Sequence, residues 1–312
     1  MKIEVRHIVC AVDFSDFSRR ALDHAVAIAK WYEARLTVMY AYGVPLAALA
    51  SAPLLSPAPM EVVALLPADR ESLRRQLLDF LPRAAAGVPI ECRVVEGDVA
   101  TEILAAAATA DLLVVGTHGR SGFERLVLGS VAERLLRQAP CPLLIVPRAS
   151  ADATDTVPQL FHHIVAATDF SEASAHAAAF AISLAEEADA HLTLVHALDL
   201  PPAVETWIVE SEAGSSRLQQ WQQGASGRLH ELVPNDAGTY CHVEERVESG
   251  SAARVILDVA AERHAGLIVI GAHGGGPLER MFVGSTAQRV VRQAPCPVLI
   301  VRATQSPTGS TP

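Results

Sequence analysis

Lysine is almost absent from this chain of 312 residues, in which Lys2 and Lys30 are the only two. Acidic residues outnumber basic ones by 35 to 25, which gives a formal net charge of −10 at neutral pH. Proteins that bind nucleic acid carry clustered basic residues, and anionic membrane surfaces attract the same kind of charge. We therefore expect neither nucleic acid nor a membrane among the partners of this protein.

Long apolar runs are also missing, so no helix that spans a membrane is expected. The first residues, MKIEVRHIVCAVD, carry charges throughout and predict a first strand rather than a signal peptide. The five cysteines are widely spread and form no C-x-x-C motif, which argues against a zinc site or a thioredoxin-like pair. Together these features favour reduced cysteines and a cytoplasmic location.

Three motifs of well-known enzyme classes are lacking as well. No G-x-x-x-x-G-K-[ST] loop occurs, and no lysine lies near any loop where it could serve as the lysine of that motif. No G-x-G-x-x-G follows the first predicted strand, and no G-x-S-x-G nucleophile elbow is present. These absences argue against a P-loop protein and against an α/β-hydrolase.

The chain does contain an internal duplication. HIVCAVDFS at 7–15 returns as HIVAATDFS at 163–171, and RQAPCPLLIVPR at 137–148 returns as RQAPCPVLIVRA at 292–303. A period of roughly 155 residues corresponds to whole domains rather than to solenoid repeats. We predict a first domain over 1–148, a linker over 149–159, a second domain over 160–304 and a flexible tail over 305–312.

Each copy alternates short β-rich segments with alanine-rich, amphipathic segments. The strands are nearly all apolar, as in LLVVG and LLIVP, which is typical of sheets buried on both faces. This alternation predicts an α/β fold in which each half is a doubly wound parallel sheet. In the first half we predict strands near 6–12, 35–41, 90–96, 111–116 and 142–147, and helices near 18–33, 69–86, 99–109 and 130–138.

One segment recurs with its glycines at the same spacing, VVGTHGRSGFERLVLGS at 114–130 and VIGAHGGGPLERMFVGS at 269–285. A predicted strand ends at Gly116, and Gly129 with Ser130 opens a helix, whose free N–H groups and dipole attract anions. Two interpretations stay open at this point. The glycines line a phosphate site, in which the Ser130 hydroxyl caps the helix or donates to phosphate, or they only permit close packing.

Asp13 follows the first predicted strand, as Asp169 does in the second half. In open α/β sheets, ligands bind outside the carboxyl ends of the strands, where the strand order reverses. If strands 1 and 4 are neighbours, Asp13 faces the glycine loop across that crevice. Its carboxylate would accept hydrogen bonds from a ribose or help to hold a metal, or it would form a local Asx turn.

These motifs make each half resemble the universal stress protein family, UspA type. The G-x2-G-x9-G-[ST] motif of its nucleotide-binding members is matched twice, and the VDFS, TDFS, PCPLLIV and PCPVLIV segments are similar too. The resemblance implies, for each half, a five-stranded parallel sheet of order 3-2-1-4-5 with the adenine nucleotide α-hydrolase-like fold. It also implies that the last strands of the halves pair within the chain, and a further homodimer of two chains is compatible with this.

The resemblance further implies that ATP, alone or as Mg-ATP, is the ligand, with no metal site formed by the protein alone. It places adenine near Asp13 and Ala41, with the phosphates on the glycine loop and the following helix. The implied nucleotide-binding residues are Asp13, Ala41, Val115, Gly116, Gly119, Arg120, Gly129, Ser130 and Val131 in the first half, and Asp169, Ala197, Ile270, Gly271, Gly274, Gly284, Ser285 and Thr286 in the second.

The second loop departs from the first in one stretch, where GGGP at 274–277 replaces GRSG. This change removes the counterpart of Arg120, a candidate phosphate partner, and Pro277 stiffens the loop. We therefore expect the second half to bind nucleotide more weakly than the first, or not at all.

Two functions from different classes follow. In the first, the protein is a regulatory stress-response protein that binds ATP or a related adenine nucleotide at one or both loops. Hydrolysis is expected to be slow at most, because no general base or arginine finger is evident beside the γ-phosphate. In the alternative, it is a nucleotide-independent scaffold or chaperone-like protein whose working surface is the proline-rich segment 44–67, a loop or lid after the second strand.

Overall fold

The computed structural model describes residues 3–43, 70–117, 128–147, 160–234, 237, 241–272 and 284–302. Strands and helices alternate along the first half, as predicted, and most strand ends lie within one residue of the expected positions. The elements of this half are β1 (His7–Ala11), α1 (Asp16–Trp31), β2 (Arg35–Tyr42), α2 (Arg70–Asp79), β3 (Ile90–Glu96), α3 (Val99–Ala107), β4 (Leu112–Gly116), α4 (Ser130–Gln138) and β5 (Leu143–Val146).

The second half repeats this succession with one difference, since two described helices follow its second strand. Its elements are β6 (His163–Ala167), α5 (Glu172–Ala188), β7 (His191–Leu198), α6 (Pro202–Glu210), α7 (Glu212–Leu232), β8 (His242–Ser249), α8 (Ala252–Glu262), β9 (Leu267–Gly271), α9 (Ser285–Gln293) and β10 (Val298–Val301).

The strands form one ten-stranded sheet of order β3-β2-β1-β4-β5-β10-β9-β6-β7-β8. Each half has the predicted order 3-2-1-4-5, with parallel pairing throughout. The halves are joined by the antiparallel pair β5 and β10, in which Leu144 lies opposite Leu299. The two predicted five-stranded sheets are therefore continuous, and the predicted pairing of the last strands within the chain is confirmed.

Helices cover both faces of the sheet, which explains why its central strands are apolar at successive positions. Side chains alternate between faces along a strand, so Ile8 lies in one buried cluster and Val9 in the other. The first cluster packs the sheet against α1 and α5. The second packs it against α3, α4, α8 and α9, and Gly129 and Gly284 are the residues before the first turns of α4 and α9 on this second face.

The predicted helix over 69–86 is shorter than expected, because α2 ends at Asp79. Pro82 then precedes a short 3-10 turn over Arg83–Ala85. Proline has no N–H to continue the helix and disfavours helical backbone in the preceding residue. The prediction was therefore wrong beyond residue 79.

Several predictions concern residues outside the described ranges. The linker over 149–159, the tail over 305–312 and the segment 44–67 all fall there, so they stay predictions. Within the described residues, no helix combines the length and apolar character that crossing a membrane requires.

Candidate functional site

Asp13 forms a local turn between β1 and α1. Its Oδ1 accepts hydrogen bonds from the Ser15 backbone N–H at 3.1 Å and from Ser15 Oγ at 2.5 Å. Phe14, between them, has a φ of 64°, which turns the chain sharply into the helix. The Asx-turn interpretation is thus confirmed, and it leaves the half-buried carboxyl group at the carboxyl end of β1.

The second half repeats this turn. Asp169 Oδ1 accepts from the Ser171 N–H at 3.0 Å, and Phe170 has a φ of 62°. Burial opposes ionisation of Asp169, but hydrogen bonds from Ser171 and Ser174 outweigh it and hold the pKa of this carboxyl below its usual value. Asp169 is therefore a charged acceptor at neutral pH.

Gly116 and Gly271 allow a strand end to pack closely against a helix start. A Cβ atom on Gly116 would lie 3.1 Å from the backbone carbon, the backbone oxygen and the Cβ of Phe17. A Cβ on Gly271 would lie 3.0 Å from the backbone of Ala173 and Ser174. For these two glycines the packing interpretation is the one that the geometry supports.

Gly129 and Gly284 have a different position, since they are the N-cap residues of α4 and α9. The Gly129 N–H donates to the Thr117 carbonyl at 2.9 Å, and the Gly284 N–H donates to the Ala272 carbonyl at 3.1 Å. Ser130 and Ser285 follow as the first helical residues and are exposed. Of the two roles open to the Ser130 hydroxyl, capping the helix is therefore wrong, because the cap is Gly129, and donation to a phosphate stays a prediction.

A glycine cap leaves the first turn of a helix without a side-chain acceptor. Four other helices have a side-chain cap, since the side chains of Ser15, Asp98, Ser171 and Ser211 accept from backbone N–H groups of α1, α3, α5 and α7, whereas α6 and α8 have none. Neither α4 nor α9 has a side-chain cap. Among the described residues no side chain caps their first-turn N–H groups, so these groups can donate to an anion, which the positive end of the helix dipole also favours.

An open cleft of about 880 Å³ lies in front of the α4 N-terminus in the first half. It occupies the carboxyl edge of the sheet, between the ends of β2 and β3 and the start of α4. A Cβ on Gly43 would lie 3.3 Å from the Gly97 carbonyl, so these strand ends approach closely. The cleft is lined by Gly43, Glu96, Gly97, Asp98, Val99, Ala100, Ser130, Val131 and Arg134.

An ion pair crosses this cleft. The Arg134 guanidinium, one turn into α4, donates to Asp98 Oδ1 at 2.5 Å and to Thr101 Oγ1 at 2.9 Å. Asp98 also caps α3, since its Oδ1 accepts from the Thr101 N–H at 3.0 Å. Hydrogen bonds from Thr101, and then the Arg134 charge, lower the pKa of the Asp98 carboxyl. The cation nearest the α4 N-terminus in the described cleft therefore has a carboxylate partner.

Sequence reasoning did not single out Gly43, Gly97, Asp98 or Arg134. A signal for Arg134 was present, because it lies four residues after Ser130 and so on the same face of α4. Gly97 and Asp98 follow directly on β3, a strand that joins the site only through its pairing with β2.

The implied residues at the strand ends fall into two groups. Ala41 and Val131 are partly buried on the α4 side of the sheet, and Ala197 has the matching place in the second half, where Thr286 is half-buried on α9. Val115 and Ile270 have buried side chains, so only their backbone is left for a ligand. Gly119, Arg120 and Gly274 lie outside the described residues.

Comparison with known proteins gives a consistent result. The model of the universal stress protein family matches residues 4–147 and again residues 160–302. A universal stress protein of Mycolicibacterium smegmatis is 29% identical over 221 residues, which cover 69% of this chain and 70% of that protein. One from Mycobacterium bovis is 32% identical over 202 residues, 62% of each. The crystal structure of a universal stress protein from Archaeoglobus fulgidus, at 21% identity and a TM-score of 0.64, covers 96% of this chain and 97% of its own, and it shows the same fold.

Proposed function

The chain belongs to the universal stress protein family, and on that basis we propose that it is a regulatory protein that binds ATP or a related adenine nucleotide. The phosphates would contact the first turn of α4, and of α9 where the second site is occupied. The base would lie over Ala41 or Ala197, at the carboxyl edge of the sheet.

The observation that carries this proposal is the pair of glycine caps. Among the described residues, Gly129 and Gly284 leave backbone donors of an exposed helix start without a side-chain acceptor, at the same place in both halves. Charge-assisted hydrogen bonds from such donors are stronger than neutral ones. In the first half these donors adjoin an open cleft, whose volume of about 880 Å³ is in the range of ligand sites.

Small residues at the strand ends leave room for the flat ring of the base beside this anion site. Ala11 and Ala41 in the first half, and Ala167 and Ala197 in the second, are small residues packed partly against the core on the α4 and α9 side. Short side chains at the ends of adjacent strands leave space above the sheet edge. An apolar surface next to helix-end donors suits a nucleotide, which has an apolar ring face and an anionic tail.

The test is a calorimetric titration of nucleotide-free protein with Mg-ATP, comparing the natural chain with Gly129→Val. Gly129 has a φ of −59° and a ψ of 144°, a backbone conformation open to valine, so the fold should persist. The branched side chain would cover the first-turn N–H groups. Loss of one charged hydrogen bond alone corresponds to roughly tenfold or more in affinity, and we expect the first site to be lost.

Gly224→Val is the matched control, because Gly224 lies on α7 and a Cβ there has nothing within 4 Å. It should bind ATP as the natural chain does. Retained affinity at both sites in Gly129→Val would contradict the role of this helix start in phosphate binding. No ATP binding by the natural chain at millimolar nucleotide would favour the nucleotide-independent scaffold.

A further inference from the structure

The two halves differ at the strand position beside the proposed base site. In the first half Val95 of β3 is paired in register with Ala41 of β2. In the second half the corresponding partner of Ala197 is Glu248 of β8. Residues in register on adjacent parallel strands project from the same face of the sheet, with Cβ atoms roughly 5 Å apart. A carboxylate thus replaces an isopropyl group next to the base position.

Contacts of the neighbouring arginine show which face this is. Arg246, two residues before Glu248 on the same strand, donates to Glu262 Oε2 of α8 at 3.0 Å. Since α8 and α9 cover the same side of the sheet, Glu248 projects on the side where the α9 N-terminus lies. Val95 likewise packs against the cluster under α3 and α4.

Arg246 also orients the carboxylate. Its Nε and its terminal nitrogen donate to Glu248 Oε1 at 3.2 and 2.7 Å. Both bonds fall on the same oxygen, so Oε2 takes no part in this ion pair. The side chain of Glu248 is 40% exposed, which leaves it accessible to a ligand at the sheet edge.

We propose that Glu248 is a specificity-determining residue of the second site, where it accepts a hydrogen bond from an amino group on the rim of the base. The inference rests on the proposed nucleotide-binding function and assigns different selectivities to the two halves. A carboxylate attracts the 6-amino group of adenine and repels the 6-keto oxygen of hypoxanthine. Val95 makes neither interaction, so the first site discriminates less between these bases.

The Glu248 carboxylate is not suited to contact the phosphate end of the ligand. An anionic side chain beside phosphates would weaken binding, whereas the helix-end donors of α9 supply the complementary charge there. Glu248 adjoins Ala197, at the base end of the proposed site, where an acceptor can read a donor without opposing the phosphates.

ATP and ITP form a matched ligand pair for the test, because they differ at the 6-position of the base. In the full chain carrying Gly129→Val, binding is confined to the second site, and we expect about a tenfold or greater preference for ATP over ITP. Adding Glu248→Val, the residue that the first half has naturally, should reduce that preference several-fold. In a Gly284→Val chain, Val95→Glu should increase the ATP preference of the first site.

The outcomes separate the two proposals. An ATP-to-ITP ratio that Glu248→Val leaves unchanged overturns the inference while ATP binding itself persists. Equal tightening of both nucleotides by Glu248→Val also overturns it, since the carboxylate would then act on the common ribose or phosphates. Absence of ATP binding in every background is instead a failure of the proposed function. Binding by the natural chain that a folded Gly129→Val chain loses completely overturns the inference alone, because the second site then takes no nucleotide. If Gly129→Val does not fold, two-site titrations of the natural chain and of Glu248→Val give the same comparison.

Discussion

Residues of one motif have two separate physical roles in this protein. Gly116 and Gly271 end their strands where a helix backbone passes within contact distance of the missing side chain. Gly129 and Gly284 instead begin helices and leave first-turn donors uncapped. The spacing between the glycines thus joins a packing requirement to the proposed binding role, and substitutions should separate the two.

The packing role predicts that Gly271→Ala destabilises the fold. The new methyl group would meet the backbone of Ala173 and Ser174 at 3.0 Å, and a backbone neighbour gives way less readily than a side chain. Overpacking of this kind costs about 1–3 kcal/mol. Equilibrium urea unfolding measures the change, with the midpoint expected to fall and the slope to stay constant.

Gly224→Ala is the control for this substitution. Gly224 lies within the helix α7, and an added Cβ meets no atom within 4 Å. Alanine there should raise the free energy of unfolding by up to about 1 kcal/mol, because it favours the helix. If both variants changed stability in the same direction, close packing at Gly271 would not be the cause.

At the scale of single residues, the sequence was sufficient to locate the helix start at Gly129 and Ser130. It was insufficient to find Asp98 and Arg134 in the cleft. Gly129 and Ser130 could be located because a recurring motif met a predicted helix start. Asp98 and Arg134 could not, since they are 36 residues apart and meet only when β3 joins the sheet edge. The Asx turn at Asp13 was one of the alternatives open, and hydrogen-bond geometry was needed to choose it.

Helices α3 and α4 meet through the pair of Asp98 and Arg134, and this contact differs between the halves. In the second half Ser251 is the cap residue of α8, and it makes no side-chain capping bond. The residue matching Arg134 on α9 is Arg289. The loop after β8 therefore supplies no carboxylate to its arginine, so the charges in front of the two helix starts are different.

Asp98→Ser should therefore strengthen ATP binding at the first site. The change removes a negative charge from the cleft and releases Arg134 to contact phosphate, while serine is also a favoured residue at the N-cap of α3. For exposed groups we expect a gain of about three- to tenfold at low salt, which decreases as salt is added. Titrations at two salt concentrations measure both effects.

Asp98→Asn provides the comparison, because it keeps a capping oxygen and removes only the charge. It should tighten binding to a similar extent. Weaker binding in both variants would mean that the carboxylate orients Arg134 for the ligand rather than competing with it.

Secondary structure was predictable where an apolar run and the turn residues at its ends indicated the same element. The strands β1, β4 and β5 are apolar runs bounded by turn residues, and they lie within one residue of the expected positions. The helix expected over 69–86 failed at its end, because helical periodicity outweighed Pro82 in the prediction. The helices α6 and α7 were not predicted, since the matching segment of the first half has a different composition.

At the scale of the whole molecule, a buried hydrogen bond joins the two halves in addition to the pairing of β5 with β10. Tyr32, at the end of α1, donates through its hydroxyl to Glu187 Oε2 of α5 at 2.7 Å. Burial, together with this hydrogen bond, raises the pKa of Tyr32, so the hydroxyl remains a donor. Glu187 Oε1 is buried without a hydrogen-bond partner in the described structure. In the described structure the hydrogen bond that this carboxylate accepts through Oε2 therefore comes from Tyr32.

Tyr32→Phe should destabilise the chain by about 1–3 kcal/mol, the cost of a buried group left without its partner. Urea unfolding followed by tryptophan fluorescence measures this, because Trp31 is adjacent. Adding Glu187→Leu should recover much of the loss, since replacing both partners with apolar groups is close to neutral. Full additivity of the two substitutions would show that the hydrogen bond does not couple the halves.

The antiparallel pairing of β5 with β10 also determines how the protein meets its surroundings. Because the strands of one half run opposite to those of the other, their carboxyl ends emerge at opposite margins of the continuous sheet. The two proposed ligands would thus face away from each other, and a small molecule at one margin could not touch the other. A partner that binds at one margin would be separate from a partner that binds at the other, so under the proposed function each bound nucleotide would influence a different partner.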